Sequence, residues 1–236
     1  MRTSFKRYSC LIAIGISLLG LAAAAVASET DWAVLFRSSD TNYGNASGTL
    51  YAGTATGSLD GQDPTDKKYT PGYSTQVVSY QPAWSDYPPY YSTDKKAPFS
   101  AGVIKSWTLL LWASPSYSSD TLRLSWWSTA ELTPPSTIAG WPLTLGVWVI
   151  NDPTGTFASG ATWIFPAGAT GSSTLPAGFI DFGNAQRLKM SDNSAQYSGV
   201  KLGFGVVVPE PSSLSTLLSS VIAGSCFVIR RRRRVK

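Results

Sequence analysis

Four aromatic side chains crowd the eight-residue stretch Trp84-Ser85-Asp86-Tyr87-Pro88-Pro89-Tyr90-Tyr91. Aromatic rings stack on the faces of sugars, and consecutive prolines limit the entropy that such a loop loses on binding. Trp84, Tyr87, Tyr90 and Tyr91 are therefore the candidate glycan-binding residues. The plainer alternative is a loop folded back over the end of a β-domain with its rings packed. Upstream, Asp60-Gly61-Gln62-Asp63-Pro64-Thr65-Asp66 holds three carboxylates within seven residues. Ca²⁺ takes about six to eight oxygen ligands, to which Asp60, Asp63 and Asp66 could contribute beside backbone carbonyls. The spacing lacks the alternation and final bidentate glutamate of an EF-hand, and Lys67-Lys68 follow at once. A solvated turn is the stronger expectation there, and no cofactor is required.

Catalytic chemistry has little to draw on. The 236-residue chain contains no histidine, which removes the usual general base, the commonest metal ligand and every Ser-His or Cys-His pair. Its two cysteines, Cys10 and Cys226, lie in apolar segments at opposite ends, so the intervening body has neither a disulfide framework nor a cysteine metal site. Glycosidases work with two carboxylates. Here Glu131 is the only body glutamate besides Glu29, and Asp86, Asp94, Asp120, Asp152 and Asp181 mostly occupy turn-like settings. No nucleophile elbow or phosphate loop is present, so an enzyme is not expected.

The elements that must position these residues are short strands. Val200, Leu202, Phe204, Val206 and Val208 alternate with Lys201, Gly203 and Gly205, the period of a half-buried strand. Leu143, Leu145, Val147 and Val149 alternate likewise before the turn signal Asn151-Asp152-Pro153-Thr154-Gly155. Leu122, Leu124 and Trp126 give another apolar face, and Trp107, Leu109 and Leu111 a fourth. Further strands are predicted over Trp32 to Arg37, Thr49 to Thr56, Gln76 to Gln81, Thr162 to Phe165 and Phe179 to Phe182. Long loops are expected from Gly57 to Thr75 and from Pro82 to Gly102. All nine tryptophans lie in the body. Trp107 and Trp126 have the phase of core residues, whereas Trp112, Trp127 and Trp148 point the other way, to solvent, a second packing layer or a ligand.

The ends read as targeting segments. Arg2, Lys6 and Arg7 precede an apolar run from Cys10 to Val26, and Ala25-Val26-Ala27 has the small-x-small form of a signal-peptidase site, with cleavage after Ala27. At the other end, Leu214 to Ile229 is apolar. It covers about 24 Å as a helix, against a hydrocarbon core of about 30 Å, so a short span over 212–229 needs its flanks to take part. Arg230, Arg231, Arg232, Arg233 and Arg234 would hold that end in the cytoplasm. These ends carry the positive excess: the chain has net charge +5, while residues 28–208 sum to −3. No nucleic-acid footprint remains in the body.

Pro209-Glu210-Pro211, the short apolar segment and the terminal arginine cluster resemble the PEP-CTERM tail of exosortase substrates, over Pro209 to Lys236. The resemblance implies processing at the Pro209-Glu210-Pro211 sorting motif by an exosortase and association with exopolysaccharide or biofilm matrix. Asp60-Gly61-x-Asp63, Trp84, Tyr90 or Tyr91 before Asp94, Trp107, Leu122-x-Leu124-Ser125-Trp126, Leu143-x-Leu145 and Asp152-x-x-Gly155 are similar to an immunoglobulin-like secreted module over roughly residues 45–165.

The expected organisation is thus a signal peptide (1–27), an all-β domain (28–208) and a sorting and anchor segment (209–236). The domain is expected to be an antiparallel β-sandwich, immunoglobulin-like or jelly-roll-like, flanked by an N-terminal signal helix and a short C-terminal transmembrane helix. The expected role is structural or adhesive at the cell surface or in the extracellular matrix, with signal peptidase, exosortase and the membrane as partners. The alternatives are a carbohydrate-binding module recognising envelope or exopolysaccharide glycans through the aromatic loop and, more distantly, a glycan-cleaving enzyme.

Overall fold

Alternation of apolar side chains decides which segments pair and which face of each is buried. A computed structural model describes residues 31–40, 48–69, 75–84, 88–100, 105–113, 121–138, 141–166, 168–184 and 199–207. The strands are β1 (Trp32–Asp40), β2 (Leu50–Thr54), β3 (Lys67–Lys68), β4 (Thr75–Tyr80), β5 (Tyr90–Lys96), β6 (Ser106–Ala113), β7 (Thr121–Trp127), β8 (Thr137–Ile138), β9 (Trp141–Pro142), β10 (Leu145–Asn151), β11 (Thr162–Ile164), β12 (Gly178–Asn184) and β13 (Val200–Val206). A single 3₁₀ turn, Ala130–Leu132, is the one helical element among the described residues.

The strands form one continuous sheet in the order β11-β10-β13-β6-β4-β5-β2-β1-β7-β12, with β3 added on β5 and a separate β8-β9 hairpin. Neighbours are antiparallel except β2 and β5, which run parallel with Tyr51 opposite Thr93 and Gly53 opposite Lys95. β5 joins the two wings: Tyr90 and Tyr91 pair with β4, whereas Thr93 to Lys96 pair with β2. Between these stretches β3 sets Lys67 against Thr93 and Lys68 against Tyr91, so Ser92 is one extra residue, a β-bulge. The Ser92 hydroxyl donates to the carbonyls of Lys67 and Lys68, both at 3.3 Å.

The sheet curls until its wings face each other across the core, as a half-barrel. Trp32, Phe36 and Leu124 of one wing and Trp107, Leu109 and Phe204 of the other are buried together. Their rings interlock: Trp32 meets Trp107 at 6.0 Å, Phe36 meets Phe204 at 5.0 Å, and Phe165 contacts both Phe36 and Trp126. Offset and edge-on contacts of this kind add to the area term for each ring. On the outer face a smaller cluster, Val78, Tyr90, Leu110 and Trp112, packs with Tyr69 and Tyr80.

The expected two-sheet sandwich is therefore corrected. Alternation defines a buried face for each strand, but β5 connects the wings through hydrogen bonds, so there is one sheet and not two. The parallel β2–β5 pair also departs from the antiparallel immunoglobulin-like arrangement. Among the described residues no helix is long and apolar enough to cross a membrane. Residues 1–30 and 208–236, which carry the signal and anchor segments, lie outside the described residues. The two expected loops each contain a strand, β3 in one and β5 in the other.

Candidate functional site

Two of the four candidate rings are buried. Tyr90 and Tyr91 are each 1 % exposed, one in the outer cluster and the other beneath Trp84, whose ring it meets edge-on at 4.5 Å. Tyr90 stacks on Tyr80 at 5.9 Å and contacts Trp112 at 5.7 Å. Trp84 is half-buried, and Tyr87 lies outside the described residues. Of the three outward-phased tryptophans, Trp112 and Trp127 are buried, and Trp148 lies half-buried over Gly203.

The three aspartates have partners within the protein. Asp60 pairs with the buried Lys105 ammonium. Asp63 accepts the amide of Leu59 at 2.6 Å and both the amide and hydroxyl of Thr65, at 2.7 and 2.6 Å. Burial pushes the Asp63 carboxyl up, but these hydrogen bonds outweigh it and hold the group below its ordinary range. Asp66 accepts the Asp63 amide at 2.9 Å and the Lys95 amide at 3.1 Å. No group of three metal-capable side chains converges among the described residues.

Asp66 behaves unlike its neighbour. Loss of solvent is the largest influence on its carboxyl, opposed by the two backbone donors and reinforced by the negative charges of Asp94 and Asp63, and the result is a pKa pushed up to about 6. Asp94 stands behind it, fully buried, with Oδ2 accepting from the Ser79 hydroxyl and, at 2.6 Å, from the Gln81 amide. Its Oδ1 has no hydrogen-bond partner among the described residues. Burial raises the Asp94 pKa despite the attraction of Lys96 and these donors. The remaining described aspartates of the body also have structural partners. Asp152 caps its turn through Thr154 and Phe157, and Asp181 grips Arg123 through two hydrogen bonds of 2.6 and 2.8 Å.

The concave feature that sequence reasoning missed lies over the β2–β5 pair. A groove of about 440 Å³ is lined by Thr49, Tyr51, Thr65, Lys67, Ser92, Thr93 and Lys95, with Ala55 and Leu132 as its apolar components. That volume falls in the range of small-molecule sites. Five hydroxyl-bearing residues line one space with two lysines, although the Thr65 hydroxyl already donates to Asp63 and the Ser92 hydroxyl to the Lys67 and Lys68 carbonyls, and neither Lys67 nor Lys95 has an ion-pair partner among the described residues. The groove exists because β3 crosses β5: that pairing brings Lys67 to Thr93, and the Ser92 bulge turns successive β5 side chains toward it. The available sequence signal was the two Lys-Lys doublets, Lys67-Lys68 and Lys95-Lys96, in an otherwise acidic body. A second crevice, between Trp126, Pro135 and Phe165, has a volume of about 20 Å³, room for little more than one water.

No family model matches the chain, no curated protein matches it, and no solved structure matches it. The expected membership of the PEP-CTERM, exosortase-sorted surface proteins is corrected on that finding. Ala25, Ala27, Pro209, Glu210, Pro211 and Arg230 to Arg234, on which that expectation rested, lie outside the described residues. Signal peptidase, exosortase and membrane as partners, the cell-surface or matrix location, and the structural or adhesive role are corrected with it. The alternative of envelope or exopolysaccharide recognition by the aromatic loop meets a separate obstacle, because the interior of the fold holds Tyr90 and Tyr91.

Proposed function

We propose that this protein is a non-catalytic binding domain whose ligand is a sugar acid, held in the groove between Lys67 and Lys95. One observation carries the proposal: two ammonium groups without acidic partners among the described residues share a groove of about 440 Å³ with Thr49, Tyr51 and Thr93. Ammonium groups suit carboxylates, and a set of hydroxyls that both donate and accept suits a polyhydroxylated ring. Tyr51 adds a ring edge and Leu132 an apolar contact for the less polar side of the ligand. The lysines supply charge and the hydroxyls supply orientation.

Calorimetric titration of the full-length protein with a trimer of galacturonic acid tests this. The acid should bind, and its methyl ester, which keeps the hydroxyls and loses the charge, should bind about tenfold more weakly, a difference of about 1.4 kcal/mol. Adipate, a dicarboxylate without hydroxyls, should also be weak. Equal affinity for acid and ester, or affinity unchanged in a Lys67→Ala, Lys95→Ala double variant, would remove the groove from consideration.

A further inference from the structure

We infer that Asp66 makes the groove pH-sensitive: its carboxylate ties the two walls together and opposes anion binding, and its protonation strengthens that binding. The inference rests on the groove being the binding site proposed above. Asp66 lies in sequence between Thr65 and Lys67, both groove-lining residues, and its Oδ1 accepts the amide of Lys95 from the opposite wall. Its Oδ2 accepts the amide of Asp63, whose own carboxylate is occupied by Leu59 and Thr65. One negative charge is thereby fixed beside a site whose cations are Lys67 and Lys95.

The charged surroundings support Asp66 as the group that titrates. From its own loop it meets Asp63, which hydrogen bonds keep ionised, and beyond that the Asp60–Lys105 pair. From β5 it meets Lys95, Lys96 and the buried Asp94. Lys67 and Lys68 follow it on β3. β2 and β4 carry no charged residue, and the 3₁₀ turn contributes only the exposed Glu131 beside Leu132. Partial burial, reinforced by repulsion from Asp94 and Asp63, moves Asp66 into the range where a change between mildly acidic and neutral solution alters its charge. Asp94 spends its Oδ2 on Ser79 and Gln81 of the β4 side and acts on Asp66 as a neighbouring negative charge.

Protonation removes a like charge lying within roughly 6–8 Å of a bound carboxylate. In an open groove solvent screens most of this interaction, and at an effective dielectric of about 50 a charge about 7 Å away corresponds to about fivefold tighter binding. The galacturonic acid trimer remains ionised across this range, so the protein alone supplies the effect.

The test is titration of the full-length protein with that trimer at about pH 5 and about pH 7.5. Wild type should bind about fivefold more tightly at the lower pH. Asp66→Asn, isosteric and able to accept the Lys95 amide, should bind at both values as wild type does at the lower one. Near pH 6 the wild-type protein should also take up about a third of a proton per ligand bound, read from binding heats in buffers of different ionisation enthalpy. That measurement needs no variant. Binding of equal strength at both pH values without proton uptake, or a pH dependence that survives in Asp66→Asn, would overturn the role of Asp66 and leave the groove standing. Absence of binding at either pH would overturn both.

Discussion

The indole of Trp148 lies across the backbone of Gly203 on the neighbouring strand, so close that a Cβ at residue 203 would come within 2.1 Å of the ring. Glycine is needed here for space and not for backbone angle. Gly203→Ala should therefore displace Trp148 from the outer face of β10 and β13, at a cost of about 1–3 kcal/mol. A red-shifted Trp emission with a lower denaturation midpoint would register the displacement. Recovery of stability in a Gly203→Ala, Trp148→Ala double variant would assign the cost to this one contact.

Phe204 touches Phe36 at 5.0 Å, Trp107 at 5.2 Å and Phe165 at 5.7 Å, linking both wings of the sheet. Phe204→Ala should cost about 3–5 kcal/mol, a large part of the stability of a domain this size. Urea denaturation followed by circular dichroism measures it. A loss below 1 kcal/mol would mean that the wings hold together without this aromatic ladder.

Arg123 and Asp181 form a two-pronged ion pair across β7 and β12, yet both side chains are more than a third exposed. Screening by solvent limits such a pair, so Asp181→Asn should cost less than about 1 kcal/mol, and less still in high salt. The contrast with Phe204 is a prediction in itself, since the shorter contact should be the weaker contributor.

Acid should stabilise this fold in one window. The Asp66 pKa is raised to about 6 from the ordinary 3.8, so the folded state binds this proton more tightly than the unfolded chain does. The stability it contributes is fully present below the ordinary value and disappears as pH rises through about 6. Buried Asp94, also shifted upward, acts with the same sign. Tm should consequently rise between about pH 7.5 and about pH 5, and Asp66→Asn should flatten that rise. At neutral pH the variant should be more stable than wild type by about 0.5–1 kcal/mol, a figure discounted because the carboxyl is only partly buried. A Tm that falls over the same interval would contradict the assignment.

Much of the strand pattern was legible, and its limits have physical causes. Leu122, Leu124 and Trp126, or Val200, Leu202 and Phe204, alternate cleanly because one side of each strand meets the core and the other does not. Trp107 and Trp126 declared themselves core residues by the same phase. β5 gave no such sign: Tyr-Tyr-Ser-Thr-Asp-Lys-Lys has no apolar alternation, the Ser92 bulge breaks its phase, and one interior position is filled by Asp94. An aspartate is tolerated there because Ser79 and Gln81 supply donors, which no local pattern reveals. With β5 hidden, nothing connected the two wings, and two separate sheets were the natural expectation. The groove was lost for the same reason, since Lys67 and Lys95 share a space only where β3 crosses β5. Tyr90 and Tyr91 misled because adjacent aromatic residues in a proline-rich stretch look alike whether the rings face solvent or the interior.

Among the described residues β13 comes last of the strands in sequence but lies inside the sheet, between β6 and β10. Trp107 pairs with Phe204 and Val147 with the same residue from the other side, so both neighbours lack their partner until that final strand is synthesised. A chain emerging from the ribosome thus cannot assemble in order from its N-terminus. Leu109, Leu111 and Trp107 stay open to solvent, and to any chaperone with an apolar cleft, until the last stave arrives. Closure of the core should wait until translation has passed Val206, and it should be slow, because so many of its pairings join distant parts of the chain.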